Sequence, residues 1–209
     1  SASRAPQPRR PLSRLHTDSL NISFSDQLCQ VISVKDKRDF PLFLAMTGKR
    51  VVVILGSEHD YAFASPIKSF LDKFGVSCDI RVASAHKDSE RLLRMIEDYE
   101  KLDDTIVYIT VAGLSNALSG LVDFKTRHPV IACPPQSEDL WRIDIFSSLR
   151  MPKGVAPLVI CDPENAVLAA AKILGESDAR LANRVKEYQM EMRLKNEKAD
   201  LKIRNVQSE

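Results

Sequence analysis

Short β-branched runs alternating with segments of helical period predict a doubly wound α/β fold, a parallel sheet with helices on both faces. Three observations carry that expectation. The runs KRVVVIL (49–55), TIVYITV (105–111) and PVIAC (129–133) have the make-up of strands buried on both sides. Apolar residues recur at helical spacing in the stretches after the first two strands. The connections are a few residues long and rich in Gly, Ser and Pro.

The elements follow in order. Lys49 to Leu55 is a strand that Gly56 stops, and the loop Gly56–Asp60 leads into a helix with Phe63, Ile67, Phe70, Leu71 and Phe74 on one face. Gly75 stands where a C-terminal cap is needed. Ser77 to Val82 is the second strand, and a helix begins at Asp88 or Ser89 with Leu92, Leu93, Ile96 and Tyr99 aligned. Thr105 to Val111 is the third strand, ending in Ala112, Gly113, Leu114, Ser115 and Asn116; Pro129 to Cys133 is the fourth and Val155 to Ile160 the fifth. Glu164 to Leu174 is an Ala-rich helix behind Pro163. From Asp178 to about Val206 the chain is highly charged, with one narrow apolar stripe of Leu181, Val185, Tyr188 and Met192. Such a helix needs a surface, either the core or another subunit. The organisation expected is an extension over 1–48, a flavodoxin-like three-layer α/β/α domain over 49–176 and a long C-terminal helix within 177–209.

Composition narrows the function. The chain has 209 residues, 44% of them hydrophobic, enough for one domain with a sizeable core. A formal net charge of +2 gives no electrostatic footprint for nucleic acid. No apolar run has the length of a membrane span, so neither a membrane nor a nucleic acid is an expected partner. Cys29, Cys78, Cys133 and Cys161 lack CxxC spacing and sit in or beside apolar runs, which points to reduced thiols and a cytoplasmic location. The first 20 residues mix Arg4, Arg9, Arg10 and Arg14 with Pro6, Pro8 and Pro11, a disorder-prone tail. An organelle-targeting peptide is the less favoured alternative, since its prolines oppose an amphipathic helix.

The loops after the first three strands hold the candidate chemistry. They present Ser57 and Asp60, then Ser84, His86 and Lys87, then Gly113, Ser115 and Asn116. Parallel neighbouring strands would bring all three loops to one sheet edge, where ligands of open α/β sheets bind. His86 can move a proton near neutral pH, Lys87 can hold an anion, and Asp60 can accept from a sugar diol. Together they point to a phosphorylated ribose compound. Each residue has a plainer role as well: Ser57 and Asp60 as helix caps, Ser115 and Asn116 as turn formers, His86 as a satisfied loop histidine and Lys87 as a solvated amine.

The motifs GSEHD (56–60), SAHKD (84–88), AGLSNALSG (112–120), IACPP (131–135) and DIFSSLRMPKG (144–154) resemble the class II aminoimidazole ribonucleotide carboxylases of purine biosynthesis. The likeness runs from about Lys49 to Leu174. It implies carboxylation at C4 of the aminoimidazole ring with carbon dioxide, with no cofactor: no ATP, biotin or metal. By motif position it implies His86 as catalytic acid and base, and Ser57, Asp60, Ser84, Lys87, Gly113 and Ser115 as the substrate-binding set. Lys87 would meet the phosphate and Asp60 the ribose hydroxyls, while Ala112 and Leu118 would wall a dry pocket for carbon dioxide. The family builds homo-octamers, and in animals the domain is fused to the next enzyme of the pathway.

Class I relatives, which move a carboxylate within N5-carboxyaminoimidazole ribonucleotide, are the first alternative. They typically have Arg in place of Lys87 and a Gly-Ala-Ala-His-Leu-Pro run in place of Gly113–Leu118, so this chain sides with class II. Leu114 and His59 depart from the class II pattern, which commonly has Arg and a small hydroxyl residue there. A catalytically weakened ribonucleotide-binding paralogue is therefore the second alternative.

Overall fold

The computed structural model describes residues 48–135 and 143–207. The readings made for the tail, including Cys29, lie outside the described residues.

Five parallel strands form the sheet: β1 (Lys49–Leu55), β2 (Ser77–Val82), β3 (Thr105–Val111), β4 (Val130–Ala132) and β5 (Leu158–Val159). Their order is β2-β1-β3-β4-β5, the flavodoxin-like arrangement. The chain steps from β1 outward to β2 and then returns to the other side of β1 for β3. That reversal opens a crevice at the carboxyl ends of these strands. Register makes the ends level, because Leu55 lies opposite both Val82 and Val111.

Burial of both sheet faces explains the β1 sequence. Val51 to Leu55 are fully buried. Val51, Val53 and Leu55 face α1 (Tyr61–Phe74), α5 (Pro163–Gly175) and α6 (Ala179–Val206), packing with Ile67, Phe70, Leu71, Val167 and Leu174. Val52 and Ile54 face α2 (Ser89–Glu100) and α3 (Ala117–Lys125), with Leu92, Ile96, Leu118 and Val122. The period of two along the strand thus divides its side chains between two cores.

Local chemistry sets the helix ends. Gly75 closes α1 in the left-handed region at φ 63°, where a glycine carries no Cβ penalty. Pro66 inside α1 cannot donate to the Ala62 carbonyl, and the Ser65 hydroxyl takes that acceptor at 2.9 Å. Asp88, Asn116, Asp162 and Asp178 each accept a backbone N–H at the start of α2, α3, α5 and α6. The first half of α6 is pinned to the body by Leu181 and Val185, by Tyr188 edge-on to Phe70, and by Arg184 donating to the Phe74 carbonyl at 2.6 Å.

Two strands are shorter than the sequence pattern suggests, and two helices are additional to it. Pro129 lies outside β4, although its carbonyl accepts from Tyr108 at 3.0 Å. In the fifth strand the Val155 N–H turns back to the Pro152 carbonyl and the Ala156 N–H goes to Asp123 Oδ2. Pro157 has no N–H to give, so strand pairing begins only at Leu158. The sequence reading leaves 117–125 and 146–149 unassigned, and α3 and the one-turn α4 (Phe146–Leu149) occupy them. Among the described residues no helix is long and apolar enough to cross a membrane.

Candidate active site

The three level strand ends feed three loops into one cavity of about 330 Å³. Its wall includes Ser57 and Asp60 after β1, Ser84, His86 and Lys87 after β2, and Gly113 and Ser115 after β3, so these seven candidates are brought together, whereas Asn116 lines the neighbouring groove. The ladder continues one residue past the strands: the Gly56 N–H reaches the Val111 carbonyl at 2.8 Å and the Ala83 N–H the Leu55 carbonyl at 2.9 Å. These bonds tie the loop bases to each other. Space at Gly56 is tight, since a Cβ there would lie 3.1 Å from that of Ala112.

In the first loop Asp60 Oδ2 accepts both the Ser57 N–H at 2.8 Å and the Ser57 hydroxyl at 3.1 Å. The pair thereby shapes the 3-10 turn Glu58–Asp60 that leads into α1. In the second loop Ser84 Oγ accepts the Lys87 N–H at 3.2 Å, and the Ser84 carbonyl accepts from Asp88 at 3.1 Å. The turn leaves His86 and Lys87 exposed on the cavity rim. Ala112 and Leu118 are buried beside them and form its apolar floor.

A buried polar chain supports the third loop from behind. Thr110 Oγ1 and Ser119 Oγ meet at 2.8 Å, Ser119 Oγ donates to Asn116 Oδ1 at 2.7 Å, and Asn116 Nδ2 donates to Ser148 Oγ at 2.7 Å. All four residues are buried, so these polar groups depend on one another for satisfaction. Leu114, exposed on the rim, adopts φ 58°, a left-handed conformation that costs a side-chain-bearing residue about 1–2 kcal/mol. His59 lines the same cavity. Asp144, Ser147 and Ser148 escaped nomination, although the motif DIFSSLRMPKG contains them. Asp144 Oδ2 accepts weakly from the Leu114 N–H at 3.4 Å. The only sequence signal for these residues is that motif, because their partners lie about 30 residues away along the chain.

A cavity of this kind can seat a ribonucleotide-sized molecule among backbone N–H groups, an amine, a carboxylate and an imidazole. The comparisons with known proteins agree with that chemistry. A family model described as AIR carboxylase, where AIR is aminoimidazole ribonucleotide, matches residues 50–195. The chain is 46% identical over 157 residues to a phosphoribosylaminoimidazole carboxylase of Archaeoglobus fulgidus, covering 75% of this chain and 86% of that one. A Treponema denticola protein of the same name is 46% identical over 138 residues, 66% of this chain and 87% of that protein. The crystal structure of Treponema denticola PurE superposes with a TM-score of 0.72 at 43% identity, covering 74% of this chain and 98% of that one. With more than half of its length matched by the family model and its cavity built from the family's motifs, the chain belongs to the AIR carboxylase family.

Proposed function

We propose that the chain is a carboxy-lyase that carboxylates 5-aminoimidazole ribonucleotide at C4 with carbon dioxide, giving the 4-carboxy product of de novo purine biosynthesis. The observation that carries this reading is the convergence of Ser57, His86 and Ser115 on one cavity from three separate strand ends. The ring is an electron-rich enamine. Its C4 attacks the carbon of carbon dioxide, a C–C bond forms, and one C=O π pair moves onto oxygen as a carboxylate. C4 then carries both the new carboxylate and its original proton. His86 removes that proton as general base, and the C–H electron pair restores the aromatic ring. In reverse, the imidazolium returns it.

The remaining residues bind and orient. Lys87 meets the phosphate, Asp60 accepts from the ribose hydroxyls, and Ser57, Ser84, Gly113 and Ser115 supply hydroxyl and backbone groups around the substrate. Asp60 Oδ2 is engaged by Ser57, so Oδ1 is the oxygen that receives the sugar. Ala112 and Leu118 keep the carbon dioxide end dry, where alignment of the two reactants replaces chemical activation.

The active form is a homo-octamer acting in the cytoplasm. Phe124, Phe146 and Leu149 are each more than half exposed in the single chain, apolar surface that association would cover. Cys78, Cys133 and Cys161 are free thiols, in keeping with a reducing compartment. The function is tested by supplying aminoimidazole ribonucleotide with carbon dioxide and, separately, the N5-carboxylated nucleotide. Product from the first alone supports the proposal, product from the second alone identifies a mutase, and binding without turnover identifies a weakened paralogue. Light scattering on the purified chain reads the octamer.

A further inference from the structure

We infer that Ser147 is a positioning residue that holds the cavity wall Leu114–Asn116 in the shape that receives the substrate. This rests on the carboxylase reading for its kinetic consequence, though not for its structural one.

The Ser147 hydroxyl joins three backbone groups. Ser147 Oγ accepts the Asn116 N–H at 3.0 Å and lies 3.1 Å from the Leu114 carbonyl and 2.8 Å from the Asp144 carbonyl, between which its single proton is shared. The bond to Asp144, three residues back, is the ordinary behaviour of a serine in a short helix. Bonds to Leu114 and Asn116, 33 and 31 residues away, have no such local purpose. They grip the backbone on either side of Ser115.

What they grip is strained. Leu114 is the non-glycine residue at positive φ among the described residues, and such a conformation persists only where neighbours over-determine it. Leu114 and Ser115 both line the catalytic cavity, whereas Ser147 lines a separate groove behind Ser115 with Met151 and Pro152. Ser147 therefore acts on substrate through backbone it fixes. Its neighbour Ser148 takes the Asn116 side chain at 2.7 Å, so the Ser147–Ser148 pair anchors both the main chain and the side chain of one residue. Without the Ser147 hydroxyl, Leu114 is free to relax toward negative φ. That rotation would carry Ser115 away from the cavity.

The experiment compares Ser147→Ala with Ser147→Thr, which keeps the hydroxyl, and Ser147→Cys, a weaker partner that covers failure of the alanine variant to fold. Kinetics with aminoimidazole ribonucleotide and carbon dioxide are read beside amide hydrogen exchange. Alanine is expected to lower kcat/KM about 10- to 100-fold, mainly through a raised KM for the nucleotide. Threonine should stay within about threefold of the parent, with cysteine between them. Asn116 amide exchange should rise at least about tenfold in Ser147→Ala while amides in β1 and β3 keep their protection. Unchanged Asn116 exchange in the alanine and cysteine variants overturns the inference whatever the enzyme does. Altered exchange with unchanged kinetics overturns the positioning role. A parent chain that turns over no substrate sinks the carboxylase reading alone, leaving the exchange data to decide the clamp.

Discussion

Asp60 turns back on Ser57, one carboxylate oxygen taking both the Ser57 N–H at 2.8 Å and its hydroxyl at 3.1 Å. Shaping the turn and lining the cavity are therefore one arrangement here: the bonds that hold the 3-10 turn Glu58–Asp60 also set the Ser57 hydroxyl in the cavity wall. Asp60→Ala should lose about 1–2 kcal/mol of stability in urea unfolding, because a partly buried N–H is left without its acceptor. The same variant should raise KM for the nucleotide at least about tenfold. An alanine variant equal to the parent in both would separate Asp60 from the site.

Leu114 tests the strain at the cavity wall. Its φ of 58° is one a β-branched side chain tolerates worse than leucine and a glycine adopts freely. Leu114→Ile should destabilise by about 1–3 kcal/mol, while Leu114→Gly should be as stable as the parent or slightly more so. Equilibrium denaturation in urea measures both. Equal stability for isoleucine and leucine would show that the wall is not held left-handed in solution.

His128 supplies a pH dependence remote from the cavity. Its side chain is 10% exposed, its Nε2 has no hydrogen-bond partner among the described residues, and it lies 3.7 Å from Glu100 Oε1, against the Tyr108 ring. Burial holds its pKa below the ordinary histidine value; Glu100 opposes that shift and Arg127 adds to it. The unfolded chain therefore binds the proton more readily, so folding stability should fall as pH drops through about 6.5. His128→Phe should flatten that part of the profile, read as urea midpoints between about pH 5 and 8. A profile as steep as the parent's would assign the acid sensitivity to other groups.

The strands that build the site were legible because their chemistry is local. Val51 to Leu55 and Ile106 to Val111 are mainly apolar runs whose residues are fully buried, Gly56 stops the first of them, and Gly75 closes the helix α1 that follows. The helix α3 was not legible, because Ser119 and Gly120 interrupt its apolar face. Ser119 is nonetheless buried, its hydroxyl satisfied by Thr110 and Asn116, a partnership that exists only after folding. The fifth strand was over-read for the converse reason. Val155 and Ala156 look like strand residues, yet their N–H groups are committed to Pro152 and Asp123. The three cavity loops could be nominated from small polar residues at strand ends. The support given by Ser147 could not, since no period in the sequence links positions 114 and 147.

His86 carries the central chemical claim, that one imidazole on the rim of this cavity moves the C4 proton. The direct measurement is single-turnover carboxylation of aminoimidazole ribonucleotide by the His86→Asn variant, with nucleotide affinity measured on the same sample. Loss of about 10²- to 10⁴-fold in rate, with affinity within a few-fold of the parent, is the result expected of a general acid and base. A variant that carboxylates at close to the parent rate would contradict it.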